Sequence, residues 1–396
     1  MRRALALLGY VIITFASQSI WVTFSPVATY VAEDLAVPVE YVGYLAVLYP
    51  TFFLLLTVPS GALLDRNLRL WLAFGATATA LGGLLRLAAP GSYPWLFLCQ
   101  VLAAVGQPFL LNGFVPFATH IYPRRRPLVI SVLSLSMYLG TVFALATGLA
   151  IYGSTGLTGL VRIHAAISAV GITLFLLGLS SLPVGGRSGL AVSLRRVVSK
   201  KDLWIIGAIL GLGIAAFDNL ATWLQPALAT AGLGDVAGTA VALAIISGLV
   251  GVTFIPSVVA RSNIRTWYLR GAALLASALL AAASILLTPV SIYVNLAAAG
   301  LVMIPAYPIL MEWIGRFHPP ELHGSSTGFV GLVSRVISVS LLLTAPYLIG
   351  SAQTYLLFIA MLLALAFIFT LTLPNDRRVY TLYQPHEPRR EHHRGD

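Results

Sequence analysis

Residues 328–343 read GFVGLVSRVISVSLLL, apolar or small at nearly every position except Arg335 in the middle. A run of this length and character is long enough to cross a bilayer as a helix, and a guanidinium at its centre is costly there. The rest of the chain is built the same way. Of the 396 residues 58% are hydrophobic and only 9% charged, and the mean hydropathy is +0.90. Those values lie far outside the range of soluble domains. Twelve apolar stretches follow one another, near 4–30, 41–63, 70–89, 95–118, 127–152, 160–182, 203–230, 237–260, 267–287, 291–314, 326–350 and 354–374. None shows the period-two alternation of a barrel strand, and each is about twice the length a barrel strand needs. The expectation is an all-α membrane protein of twelve transmembrane helices, with little chain left for a soluble domain.

The net charge of +11 invites a nucleic-acid reading until its placement is followed along the spans. Twenty of the 24 bases fall on one face: Arg2, Arg3, Arg66, Arg69, Arg124 to Arg126, five between Arg187 and Lys201, Arg261, Arg265, Arg316 and five in the tail. Loops of the other face, 32–40, 90–94, 153–159, 233–236, 288–290 and 351–353, hold no Lys or Arg but carry Glu33, Asp34, Glu40 and Asp235. The positive-inside rule then puts both termini in the cytoplasm, explains the charge by topology and leaves no case for nucleic acid. Arg2 and Arg3 before an apolar run resemble a signal peptide, but the run is long and lacks a small-x-small cleavage site, so it reads as the first span. Compact loops without a glycosylation sequon point to a plasma membrane, and nothing in the chain calls for more than a monomer. The single Cys99 excludes an intrachain disulfide.

Internal repetition gives the domain plan. DRNLRLW at 65–71 and RSNIRTW at 261–267 match at a shift of 196, and FSPVA at 24–28 and LQPAL at 224–228 match at a shift of 200. Two related halves of six helices follow, 1–182 and 203–374, joined by a basic linker 183–202 and followed by a cytoplasmic tail 375–396. Within the linker Leu190, Leu194, Val197 and Val198 share one helical face among bases, as in a helix lying along the inner membrane surface. Pro26 and Pro226 occupy equivalent places, where each is expected to bend its helix.

Depth selects candidate site residues. At 1.5 Å per residue Arg335 lies about 14 Å into its helix, near the midplane. Asp218 is the other deep charge, and Asp218, Thr222 and Gln225 follow i, i+4, i+7 spacing and make one polar stripe. Gln18, Trp21 and Ser25 do the same in the first span, while Gln107 and Tyr138 come out at similar depth, Tyr138 as the repeat-mate of Arg335 within a residue. Arg335 and Asp218 either pair as a structural bridge or face a central cavity, and the two roles are compatible. Trp21 suits a binding face or an interfacial belt, and Gln107 a site or helix–helix adhesion. Glu312, with Arg316 four residues on, reads as a gate contact or surface pair. Arg86, Arg162 and His164 sit near the outer ends, where snorkelling accounts for them.

With these residues in view, GALLDRxxR at 61–69 (Gly61, Asp65, Arg66, Arg69) resembles the signature loop of the major facilitator superfamily between its second and third helices, with Leu68 in place of a glycine. Arg261 and Arg265 are its repeat-mates. A narrower resemblance, to the transporters related to the feline leukaemia virus subgroup C receptor, rests on WVTFS at 21–25, LLDRNLR at 63–69, GxxxR at 82–86, AAVGQ at 103–107, LGT at 139–141, YPILME at 307–312 and HPPELHGSSTG at 318–328. What the resemblance implies is a carrier working by alternating access, with haem, choline or another small organic molecule as substrate. It also marks a departure: those relatives carry glutamine where Tyr138 and Arg335 stand, and tend to an aromatic where Asp218 stands. Arginine favours carboxylates and phosphates over ammonium groups. An organic anion is therefore favoured, with Asp218 the candidate for proton coupling; a facilitative uniporter of a choline-like cation or haem is the alternative, and a non-transporting receptor a weaker one.

An enzyme reading finds little support. GSSTG at 324–328 fits G-x-S-x-G near His318 and His323, but the nucleophile elbow needs a strand-to-helix turn in a sheet, and Ser325 to Thr327 instead suit helix caps. No HExxH, P-loop or paired cysteines are present, and His392 with His393 reads as solvated tail, so no cofactor or metal is expected.

Overall fold

The computed structural model describes residues 2–184, 198–317 and 323–374. The linker face at 190–197, most of the HPPELHG stretch, the tail, and the side chains of Asp65, Arg316 and Ser325 lie outside the described residues. Helices account for nearly all the rest: α1 (Arg2–Trp21), α2 (Ala28–Leu35), α3 (Val39–Arg66), α4 (Leu68–Leu85), α5 (Tyr93–Asn112), α6 (Phe114–Ile121), α7 (Arg126–Gly178), α8 (Lys201–Ala229), α9 (Ala237–Ser262), α10 (Arg265–Ile285), α11 (Pro289–Met303), α12 (Ala306–Phe317), α13 (His323–Thr344) and α14 (Ala352–Leu371).

Among the described residues 11 helical segments are long and apolar enough to span a membrane. One of them is double. At 53 residues α7 would be about 80 Å long if straight, more than two bilayers. It folds back at Gly156, whose φ of 66° and ψ of −171° belong to glycine alone, and Phe143 meets His164 at 5.9 Å across the bend. Twelve passes result, as the sequence predicts, and both ends of the described chain reach one face.

The passes pack as two six-helix bundles. In the first, α1 lies along both arms of α7, and α5 packs on α3 and α4; in the second, α8 packs on α13 and α14, and α10 on α11 and α14. Between bundles the main contacts are α7 with α9 and α3 with α13. These pairs are pseudo-symmetric, the fifth pass with the eighth and the second with the eleventh.

Local interruptions follow the same symmetry in part. The fourth pass breaks at Gly113, between α5 and α6, and the tenth before Pro305, between α11 and α12. The first and seventh passes differ. Around Pro26 the helix gives way to a 3-10 turn over Ser25–Val27, whereas α8 runs unbroken through Pro226. The expected pair of bends is thus a break in one half and a continuous helix in the other. The break has protein partners: Thr23 caps Ser19 and Ile20 carbonyls, while Arg86 and Gln100 donate to the carbonyls of Ile20 and Trp21 at 3.3 Å.

A backbone test follows from Gly156, where an added Cβ meets open space, so the strain of a substitution is conformational only. Gly156→Val should lower stability by about 1–3 kcal/mol. Gly153→Ala, equally open but helical, should leave thermal unfolding in detergent unchanged or slightly raised.

Candidate functional site

Two helices of the second bundle bring the deep charges together. Asp218 on α8 is 2% exposed, and one of its oxygens, Oδ2, accepts from Arg335 Nη1 at 3.0 Å and from Ser338 Oγ at 2.6 Å. Both donors come from α13, three residues apart and on one face. The Arg335 side chain keeps 25% of its surface exposed, and its guanidinium carbon lies 5.2 Å from the ring centroid of Phe53 on α3 in the other bundle. Among the described residues Nε and Nη2 of Arg335 donate to no protein group. Tyr138 of α7 and Tyr307 of α12 lie within reach of its charge, Tyr307 with 51% of its surface exposed.

The remaining predicted residues divide into groups. Trp21 is buried rather than in an interfacial belt; its Nε1 donates to the Ala46 carbonyl at 3.0 Å, and its ring stands 6.4 Å from Phe217, the neighbour of Asp218. Thr222 is buried with its hydroxyl unpartnered, and Gln18 has its amide nitrogen unpartnered. Gln107 and Ser25 are buried, Ser25 within the 3-10 turn. Gln225 is engaged elsewhere: its Oε1 accepts from the Thr29 backbone nitrogen at 3.1 Å, and its Nε2 donates to the Thr29 hydroxyl at 2.8 Å.

That contact belongs to a seal between the bundles at the end away from the termini. Nearby, Tyr30 donates to Asp235 at 2.7 Å, and Trp223, fully buried, packs against Gly43 of α3, where any Cβ would collide with the indole at 2.0 Å. At the terminal end, Arg66 and Arg261 are exposed and Arg69 half-buried, and none is paired among the described residues; an added Cβ at Gly61 would meet open space. Arg265, by contrast, is fully buried and forked onto Glu312, with Nη2 at 2.7 Å from Oε1 and Nη1 at 3.1 Å from Asn263. Both partners lie in the second bundle, so this pair braces α10 against α12.

Arg86 and His164 are not snorkelling. Arg86 is fully buried, donates to Thr23 Oγ1 at 3.2 Å and to Gln100, and faces the Phe24 ring at 5.3 Å. His164 is 1% exposed and bonds the Leu160 carbonyl through Nδ1 at 2.8 Å. Only Arg162 of the three is exposed. Sequence reasoning missed Ser338, Phe53 and Thr29. The i+3 spacing from Arg335 could have found Ser338; Phe53 and Thr29 meet their partners across the bundle interface, where spacing gives no signal. GSSTG lies at the start of α13, with Ser326 fully buried, and no strand precedes it among the described residues.

A family model described as Major Facilitator Superfamily matches residues 8–342. No curated protein matches the chain. Among solved structures, a D-xylose-proton symporter superposes with a TM-score of 0.73 at 14% identity over 95% of this chain and 98% of its own. A bacterial homologue of the human lysosomal transporter Spinster, in an inward-facing and unoccupied conformation, gives 0.71 at 15% identity over 96% of each chain. At such identities the likeness is one of fold.

The ion pair makes a stability prediction. Asp218→Leu leaves a guanidinium without its partner and should cost about 3 kcal/mol. Asp218→Leu with Arg335→Met removes both charges and should recover most of that loss in thermal unfolding; equal losses in the single and double variants would mean that the stranded guanidinium carries no penalty.

Proposed function

The chain belongs to the Major Facilitator Superfamily, and from that premise we propose that it is a plasma-membrane secondary carrier of a small organic anion, coupled to protons through Asp218. Residues 1–182 and 203–374 are the bundles that move against each other around the site, with the loops at 65–69 and 261–265 steadying the terminal side. The observation that carries the anion reading is the unused edge of Arg335: one donor holds Asp218, while Nε and Nη2 remain for a ligand in a partly exposed position. A carboxylate accepts two parallel bonds from that edge.

Charge balance supplies the coupling. Asp218 and Arg335 together are neutral, so a bound anion leaves the site negative in a medium where net charge is costly. A proton on Asp218 restores neutrality and releases Arg335 to the anion. One proton per monoanion is then the stoichiometry. A second reading keeps the pair closed and places a choline-like cation against Trp21 and Phe217, whose rings stand together beside Asp218.

The seal at the outer end supports a conformation in which the site communicates with the terminal face. Opening that seal costs the bonds of Gln225 and Tyr30.

Two measurements test this. Thermal stabilisation by carboxylates should approach about 2.7 kcal/mol at 100 times the dissociation constant and vanish in Arg335→Gln; in proteoliposomes Asp218→Asn should lose proton-driven uptake, and uptake that keeps its full proton dependence rules out Asp218 as the coupling group. Stabilisation by choline in both wild type and Arg335→Gln would favour the second reading. For the seal, Tyr30→Phe with Gln225→Ala should remove about 2 kcal/mol of outer closure. Labelling of Thr222→Cys, in a Cys99→Ser background, by an impermeant maleimide from the outside should then rise at least tenfold.

A further inference from the structure

We propose that the substrate is a flat, conjugated monocarboxylate, of the benzoate kind, held by the Nε/Nη2 edge of Arg335 while Phe53 fixes the guanidinium. This rests on the anion reading above and narrows it by three observations.

The first is geometric. The guanidinium is held from two sides, by Asp218 at 3.0 Å through Nη1 and by the Phe53 ring 5.2 Å away. A carboxylate bonded to the remaining edge lies in the guanidinium plane. In a conjugated acid the carbon skeleton continues that plane; in a saturated acid the α-carbon substituents leave it. An aromatic wall favours a ligand with a second flat face. The surrounding groups are Phe53, Tyr138 and Tyr307, with the Trp21–Phe217 pair beyond Asp218.

The second is the count of charges. Among the described residues Arg86 is committed to Thr23, Gln100 and backbone carbonyls, Arg265 to Glu312 and Asn263, and Arg270 to the carbonyls of Thr370 and Leu373, while Arg162 is exposed on a different helix of the first bundle. A dianion would bring a second charge to a site with no second cation for it.

The third is the use of the local hydroxyls. Ser338 spends its hydrogen on Asp218, and Ser334 spends its own on the Gly331 carbonyl at 2.8 Å. A polyol beside Arg335 would find both of these serine hydrogens already used. One anionic head fits the Nε/Nη2 edge, and a planar body fits the aromatic groups around it.

The test is binding of benzoate, cyclohexanecarboxylate, succinate and benzylamine to the purified full chain, read by thermal shift and titration. Benzoate and cyclohexanecarboxylate share charge and size and differ in planarity. Benzoate should bind about tenfold tighter than cyclohexanecarboxylate and more tightly than succinate. Phe53→Leu should erase the preference while both acids still bind, and Arg335→Gln should lose both acids. Equal binding of the two acids in wild type, or a preference unaffected by Phe53→Leu, overturns the planar inference and leaves the anion reading standing. Binding of neither acid, or acid binding indifferent to Arg335→Gln, overturns both. Benzylamine as the tightest ligand also overturns both. If Phe53→Leu fails to fold, Phe53→Tyr serves: it keeps the ring and should keep the preference, whereas a loss counts against the stacking role.

Discussion

A charge placed inside hydrocarbon must find a partner, and the arrangement of this protein's centre follows from how Asp218 and Arg335 meet that demand. Their contact at 3.0 Å ties α8 to α13, and Ser338 adds a second donor to the same carboxylate oxygen. The pair is neutral, which makes it tolerable at the midplane. It is also incomplete. The carboxylate is bonded from one side of the guanidinium, and the other edge has no protein partner among the described residues. A pair held by a single bond across 25% exposed arginine is one that a competing anion can divide.

Depth alone would not have singled out Arg335. Arg86 is more deeply buried, and Arg265 equally so. What separates them is the use of their donors. Arg86 satisfies carbonyls freed where the first pass breaks, so its charge is spent on holding a non-helical segment that water cannot reach. Arg265 closes a fork onto Glu312 and braces two helices. Arg86 also leaves its Nε without a partner, but that nitrogen is sealed in the interior, whereas the unused donors of Arg335 belong to a side chain that is 25% exposed. Among these three, the functional candidate is marked by unspent valence and partial exposure together.

The fold was legible because a bilayer imposes length and composition on each pass, and both survive in a single sequence. Even the pass hidden inside α7 could be counted, since an unbroken apolar run of that length fits no membrane. The halves were legible from two short matches. Their asymmetry was not: FSPVA and LQPAL predict like bends, but the first is stabilised as a break by Arg86 and Gln100 from other helices, and nothing comparable meets α8. The same limit governs the site. Asp218 and Arg335 stand out because charges are rare in spans, and Thr222 and Gln225 because helical spacing is local. Phe53 is one aromatic among many in an apolar helix, and Gln225 reads as a cavity residue until Thr29, 196 positions away, is placed beside it.

That placement joins site and seal through one element. Asp218 and Gln225 lie two turns apart on α8, about 10 Å along a helix that carries no break between them. Across from it the first pass is interrupted at Ser25–Val27, just before Thr29 and Tyr30 make the contacts at the end away from the termini. A continuous helix facing an interrupted one is an unequal pair: α8 carries Asp218 and Gln225 without a break, while α1 and α2 are parted by a turn next to which Arg86 and Gln100 hold the freed carbonyls. The carboxylate that holds Arg335 and the amide that holds Thr29 are therefore carried by one rigid element. The polar stripe of α8 thus serves both the ion pair and the seal.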